Sequence, residues 1–210
     1  AYEISACLVG SGDVYKRQVL ELAAGMSPRG WRFTQRYGDR LTYVEGDLPE
    51  MAARKREALG RMGSLSELHR VVDVDVLSDE SLVAAVADLD RGGGLAIITE
   101  GLLGYLPTDT VLELWQRLAR TLSEFTTGRY ISELHFKSIQ TPVIRAFRVA
   151  LGAFVRGRVY LHFDGEADAR AALEAAGFGA VTIVPAVELV PEAAERSGSR
   201  LVHIIEASTA

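Results

Sequence analysis

The sequence predicts an α/β fold built on a mostly parallel sheet, and three observations lead there. Short apolar runs alternate with helix-like stretches from Val19 onward, the spacing of strands joined by right-handed helical crossovers. Three of the first four runs end in an acid (Asp47, Asp75 and Glu100), and the remaining one closes in a small-residue turn at Gly25. Two late runs, residues 180–185 and 201–205, follow the βα units as a closing pair, which reads as an antiparallel hairpin on the sheet edge.

The first element, Val19-Leu20-Glu21-Leu22-Ala23-Ala24, is a buried strand that turns at Gly25 through Ser27, Pro28 and Gly30. A helical turn over residues 31–37 leads to a second strand, residues 41–45, ending at Gly46-Asp47-Leu48-Pro49. Pro49 suits the first turn of a helix and Asp47 its cap, and Met51, Lys55, Leu59 and Met62 continue that helix. The third strand spans residues 70–76, and Ser78-Asp79-Glu80 reads as the cap of a helix over 82–89. Gly92-Gly93-Gly94 turns into a strongly apolar fourth strand, residues 95–99, which stops at Glu100-Gly101. Beyond it come a helix over 111–122, a fifth strand over 128–133, an apolar helix over 139–155 and an Ala-rich helix over 166–176 closed by Gly177. An acidic connector, residues 188–195, joins the two closing strands.

Composition narrows the class. At 210 residues the chain suits one domain with a substantial core, placed at residues 19–210. A net charge of −5 without a dense Lys/Arg run argues against nucleic acid as a partner. The single cysteine, Cys7, excludes a disulfide framework, and the four scattered histidines lack metal-ligand spacing. No run has membrane-spanning length and no secretory signal is visible, so the cytoplasm is the expected location, while the oligomeric state is left open with a monomer favoured. Residues 1–18 match the rest of the chain poorly, having no clear amphipathic period and no turn before the first strand. Within them DVYKRQ, residues 13–18, matches what a sequencing-adapter tag encodes in one frame, so residues 1–18 are expected to be non-native or disordered.

In a parallel sheet, ligands bind outside the carboxyl ends of the strands. Gly25, Asp47, Asp75 and Glu100 should therefore line one rim. Each has a plainer reading. Glu21, a carboxylate inside an apolar strand, needs a partner such as an arginine. Asp47 could be a helix cap only, and Asp73 competes with Asp75 because alternation points both to one face. His135 could serve a hydroxyl substrate as general base or lie idle on the surface. Lys55 and Arg56 read as the solvated face of their helix, and Trp115 and Phe125 as packing.

The segments VLELAAGMSPRGWRF, YVEGDLPEMAARKREAL, VVDVDVLSDESL and IITEGLLGYLP, taken together, resemble the successive motifs of the leucine carboxyl methyltransferase family, in its bacterial secondary-metabolism branch. The resemblance implies a Rossmann-like class I methyltransferase fold, with a mostly parallel seven-stranded sheet ending in an antiparallel hairpin. It implies S-adenosyl-L-methionine as cofactor and methyl transfer to a carboxylate or hydroxyl of a small molecule. Carried onto this chain, Glu21, Ala23 and Gly25 would hold the methionine part, while Asp47, with Leu48 beside it, would accept the ribose hydroxyls. Asp75 and the backbone of Val76 would face the adenine amine, Glu100 the amino-acid end of the cofactor, and Tyr105 the substrate. No catalytic base is implied, and no metal, because a sulfonium is already a good leaving group and the enzyme mainly aligns the reacting atoms.

The chain departs from the family pattern at three places. Ala23 stands where many methyltransferases carry glycine, Gly104 replaces a bulkier apolar residue and suggests a wider pocket, and residues 1–18 match no family N-terminal segment. Two rival readings remain. One is a truncated, non-catalytic fragment that binds cofactor weakly or not at all. The other is a nicotinamide-dependent oxidoreductase, which would want G-x-G-x-x-G where this chain has Ala23 before Gly25 and no glycine at the third position.

Overall fold

The computed structural model describes residues 17–138, 159–189 and 202–209. Seven strands form one sheet: β1 (Arg17–Leu22), β2 (Leu41–Asp47), β3 (His69–Asp73), β4 (Gly94–Thr99), β5 (Thr127–Leu134), β6 (Ala180–Pro185) and β7 (His203–Thr209). Their spatial order is β3-β2-β1-β4-β5-β7-β6. The β1–β2, β2–β3, β1–β4 and β4–β5 pairs are parallel, while β7 runs antiparallel to both β5 and β6. The expected closing hairpin is present, with β7 inserted inside the sheet and β6 left at the edge.

Helices α1 (Arg29–Tyr37), α2 (Pro49–Arg61), α3 (Asp79–Ala85), α4 (Thr108–Leu122), α5 (Glu166–Ala176) and α6 (Ala186–Leu189) connect or follow the strands. Alternation along β1 and β2 sorts the two faces. Leu20, Leu22 and Val44 join the large core with Leu82, Leu114, Trp115, Leu118 and Leu173 of α3, α4 and α5. Val19, Leu41 and Tyr43 face the opposite way, against Phe33 and Tyr37 of α1. Ala52 and Leu59 of α2 pack with Val71 on that second side, and Trp31 lies against them. Trp115 and Phe125 are buried, as packing residues should be, and Trp115 stacks on Phe163 with ring centroids 5.2 Å apart.

Where the elements differ from expectation, local bonding explains it. The third strand stops at Asp73, opposite Asp47, the last residue of β2. After that pair the chain turns, with Ser78 N–H donating to the Asp75 carbonyl at 3.0 Å. Ser78 is the cap expected, its hydroxyl accepting from Ser81 N–H at 3.2 Å. Strand β7 starts and ends later than its apolar run, because pairing with β5 continues through Glu206, Ser208 and Thr209 to Gly128. Gly177 closes α5 at φ 110, a left-handed value that glycine adopts without strain. Strand β1 already includes Arg17 and Gln18, and the Gln18 side chain is buried, donating to Asp90 O at 2.8 Å and accepting from Asp90 N–H at 2.7 Å. The domain boundary expected at residue 18 thus falls inside a strand. The helix expected over 139–155, residues 1–16 and most of the acidic connector lie outside the described residues.

Candidate functional site

Parallel pairing brings the ends of β1, β2, β3 and β4 to one side of the sheet. The turn after β1 is the centre of that side. Ala23 sits at φ 51, the one described non-glycine residue with positive φ, and Gly25 follows at φ 48. Left-handed backbone suits glycine and costs an L-residue energy, so Ala23 must be held by its surroundings. Ala24 N–H donates to Gly46 O at 3.2 Å, and Gly25 N–H donates to Asp47 Oδ2 at 2.7 Å. Leu48 N–H donates to Asp47 Oδ1 at 2.8 Å. Asp47 is therefore not a helix cap: the cap position of α2 is Leu48, with no side-chain bond, and Pro49 occupies the first turn. One carboxylate ties the end of β2 to the turn after β1.

Glu21 finds its arginine. It pairs with Arg29 at the start of α1 and accepts from Tyr43 O–H at 2.6 Å. Arg29 reaches on to Glu100, so one guanidinium bridges the ends of β1 and β4. Burial pushes the Glu21 carboxyl above its ordinary value, with Arg29 and Tyr43 opposing, and burial beside Glu21 pushes the Tyr43 phenol well above its own. Next along the rim, Gly101 N–H donates to Glu133 Oε1 at 2.7 Å, while Glu133 Oε2 is buried without a hydrogen-bond partner. Burial raises the Glu133 carboxyl as well.

The other expected residues take their places around this centre. Asp75 is exposed just past β3, accepting from Leu77 N–H at 2.9 Å. Asp73, its competitor, pairs with Arg56 at 2.9 Å. Val76 is buried in the main core, which leaves only its backbone to face a ligand. Tyr105 is exposed in a 3-10 turn (Leu103–Tyr105). His135 lies at the surface past β5, where partial desolvation by its neighbours, with His203 nearby, lowers its proton affinity. Space beside Gly104 is bounded by Val159 Cγ1, 3.8 Å from where a Cβ would sit, and Tyr160 N–H donates to Gly104 O at 2.8 Å. Among the described residues no His, Cys, Asp and Glu group is arranged to hold a metal.

The sequence reading missed the polar group beneath the turn. Lys55, expected on a solvated face, is only 2% exposed. It pairs with Glu45, itself fully buried, and its ammonium donates to Ala24 O at 3.2 Å. His69 Nε2 lies 2.7 Å from the other Glu45 oxygen, and its Nδ1 lies 3.0 Å from Ser64 O. A signal for this existed. Ala52, Lys55 and Leu59 fall on one helical stripe, and Glu45 is a second carboxylate inside an apolar strand, in register with Glu21.

This topology and rim define a class I methyltransferase fold, and solved structures agree. The CurJ carbon methyltransferase is similar with a TM-score of 0.67 at 12% identity, over 99% of this chain and 52% of that one. PigF, solved with S-adenosylhomocysteine (SAH), is similar with a TM-score of 0.65 at 18% identity, over 94% of this chain and 52% of that one. The leucine carboxyl methyltransferase family model matches residues 5–119, and the chain belongs to that family. A Mycolicibacterium gilvum protein, provisionally named an S-adenosyl-L-methionine-dependent methyltransferase, is 36% identical over 113 residues, 53% of this chain and 35% of that protein. A Mycobacterium marinum protein with the same name is 32% identical over 129 residues, 60% of this chain and 40% of its own length. The matches thus span well under half of these relatives.

Proposed function

We propose that the chain from β1 onward forms an S-adenosyl-L-methionine-dependent methyltransferase domain that methylates an oxygen, a carboxylate or hydroxyl, of a small molecule. One observation carries the reading: Asp47, at the end of β2, is held by the Gly25 and Leu48 amides, one to each oxygen. An ionised carboxylate has about four acceptor sites, so two remain for a ribose diol. The cofactor fits the remaining rim on chemical grounds. Leu48, Leu77 and Met26 are exposed apolar side chains on the turns after β2, β3 and β1, suited to the flat faces of adenine and the methionine chain. Asp75 and the Val76 backbone would face the adenine amine, and Glu21, Ala23 and Gly25 the methionine part. Glu100, already paired with Arg29, would also meet the ammonium, and Tyr105 would lie toward the acceptor. When bound, the cofactor supplies an electrophilic methyl on a sulfonium, a good leaving group. The chain's own part is to hold acceptor oxygen, methyl and sulfur in line.

The nicotinamide reading fares worse at the same rim. A dinucleotide pyrophosphate would want the G-x-G-x-x-G turn, and here Ala23 replaces the first glycine while no glycine stands at the third position. The fold itself hosts carbon methylation as well as oxygen methylation, so the acceptor atom is decided by assay. The chain is incubated with methyl-labelled S-adenosyl-L-methionine and a panel of small carboxylic acids and phenols. Label released as methanol by mild base marks a methyl ester, and base-stable label that hot hydriodic acid releases as methyl iodide marks an ether. Label on carbon contradicts the oxygen reading. Binding without transfer favours the non-catalytic alternative.

A further inference from the structure

We propose that Lys55 is a positioning residue, which sets the conformation of the turn at residues 23–25 by holding the Ala24 carbonyl from beneath. The turn is restrained at successive points. Ala24 N–H is bound to Gly46 O, Ala24 O accepts from Ser27 N–H at 3.1 Å and from Lys55 Nζ at 3.2 Å, and Gly25 N–H is bound to Asp47. Without the contact from beneath, Ala23 at φ 51 has a lower-energy route into the ordinary extended region. Such a change would swing the Gly25 amide away from Asp47.

The surroundings of Lys55 fit this role better than a packing role. An apolar residue would fill that stripe of α2 without the desolvation cost of an ion pair. Instead the ammonium is held against Glu45, and Glu45 is held in turn by His69. Gly30 closes the other side: a Cβ there would overlap the Glu45 carboxylate and come within 2.9 Å of His69 Nε2. The group is built to keep one donor at one carbonyl. Its effect on cofactor affinity rests on the proposed function above, but its effect on the turn does not.

The test therefore has two readouts. Amide hydrogen exchange is measured on the ligand-free chain, comparing Gly25 with Ile97 of the central strand β4. SAH affinity is measured by calorimetry. Lys55→Met alone strands the buried Glu45 and is prone to unfold, so the informative variant is Glu45→Gln/Lys55→Met, which removes both charges together. In it Gly25 should exchange about tenfold faster with Ile97 unchanged, and SAH should bind about tenfold more weakly while the melting temperature stays near that of the parent. Lys55→Arg, which keeps a charged donor, should recover part of both effects. Parental Gly25 exchange in the double variant would overturn the proposal. So would an affinity that only tracks melting temperature, or a double variant that fails to fold, since either assigns the pair to the fold as a whole. If Gly25 exchange rises but the parent chain binds no SAH, the positioning role stands and the cofactor reading falls.

Discussion

Asp47 fixes the neighbouring turn through Gly25 with one carboxylate oxygen and holds the Leu48 amide with the other, and in the proposed site its remaining acceptor capacity would serve the ribose. Sequence pointed to Asp47 by its place after an apolar strand, but not to the Gly25 bond, because a contact between residues so far apart in sequence needs the parallel register of β1 and β2. Ala23 is the reverse case. Its mismatch with glycine is plain in the sequence, and its φ of 51 shows what glycine would relieve. A left-handed L-residue costs about 1–2 kcal/mol, and glycine's extra freedom when unfolded returns about 0.5–1 kcal/mol of that. Ala23→Gly should therefore raise the melting temperature by about 2 °C, and a fall would show that Ala23 is not strained. Glu133 allows a test by pH. Burial raises its carboxyl above the ordinary value, so the folded chain keeps the proton to higher pH than the unfolded chain does. Stability then falls as pH rises from the ordinary carboxylate value through the folded one. Glu133→Gln, which can still accept from Gly101, should melt above the parent at about pH 7.5, with the gap closing toward about pH 4. A gap that widens on acidification would contradict the assignment. Glu21, also raised, contributes with the same sign.

At the scale of elements, what could be read depended on whether a signal was local. The α5 stop at Gly177, the Ser78 cap and the extent of β6 are local chemistry, and all three are found as expected. The limits of β3 and β7 are set by partner strands, so periodicity alone ended one too late and the other too early. The packing of α1 and α2 was the least legible. Lys55 belongs by residue type to solvent, and only Glu45 on the facing strand makes its burial tolerable. That arrangement leaves no room at Gly30, where α1 crosses the group. Gly30→Ala should destabilise the chain by about 3 kcal/mol, because the overlap is with a buried carboxylate and ring that have nowhere to move. A denaturation midpoint equal to the parent's would show that the group can shift after all.

Across the whole molecule, the strand order places four strand ends from distant parts of the sequence on one rim. Repeated βα units made the parallel sheet legible. The insertion of β7 between β5 and β6 was not, because nothing local distinguishes an edge strand from its neighbour. The cofactor and the rim that would hold it meet at Asp47. Calorimetric titration of SAH into the parent chain and into Asp47→Ala, with NAD as control, tests them together. The parent should bind SAH and give no heat with NAD. Asp47→Ala should bind at least about tenfold more weakly, since hydrogen bonds to a charged acceptor are worth about 1.5–3 kcal/mol each. An unchanged SAH affinity in Asp47→Ala, no SAH binding by the parent, or a preference for NAD would contradict the account.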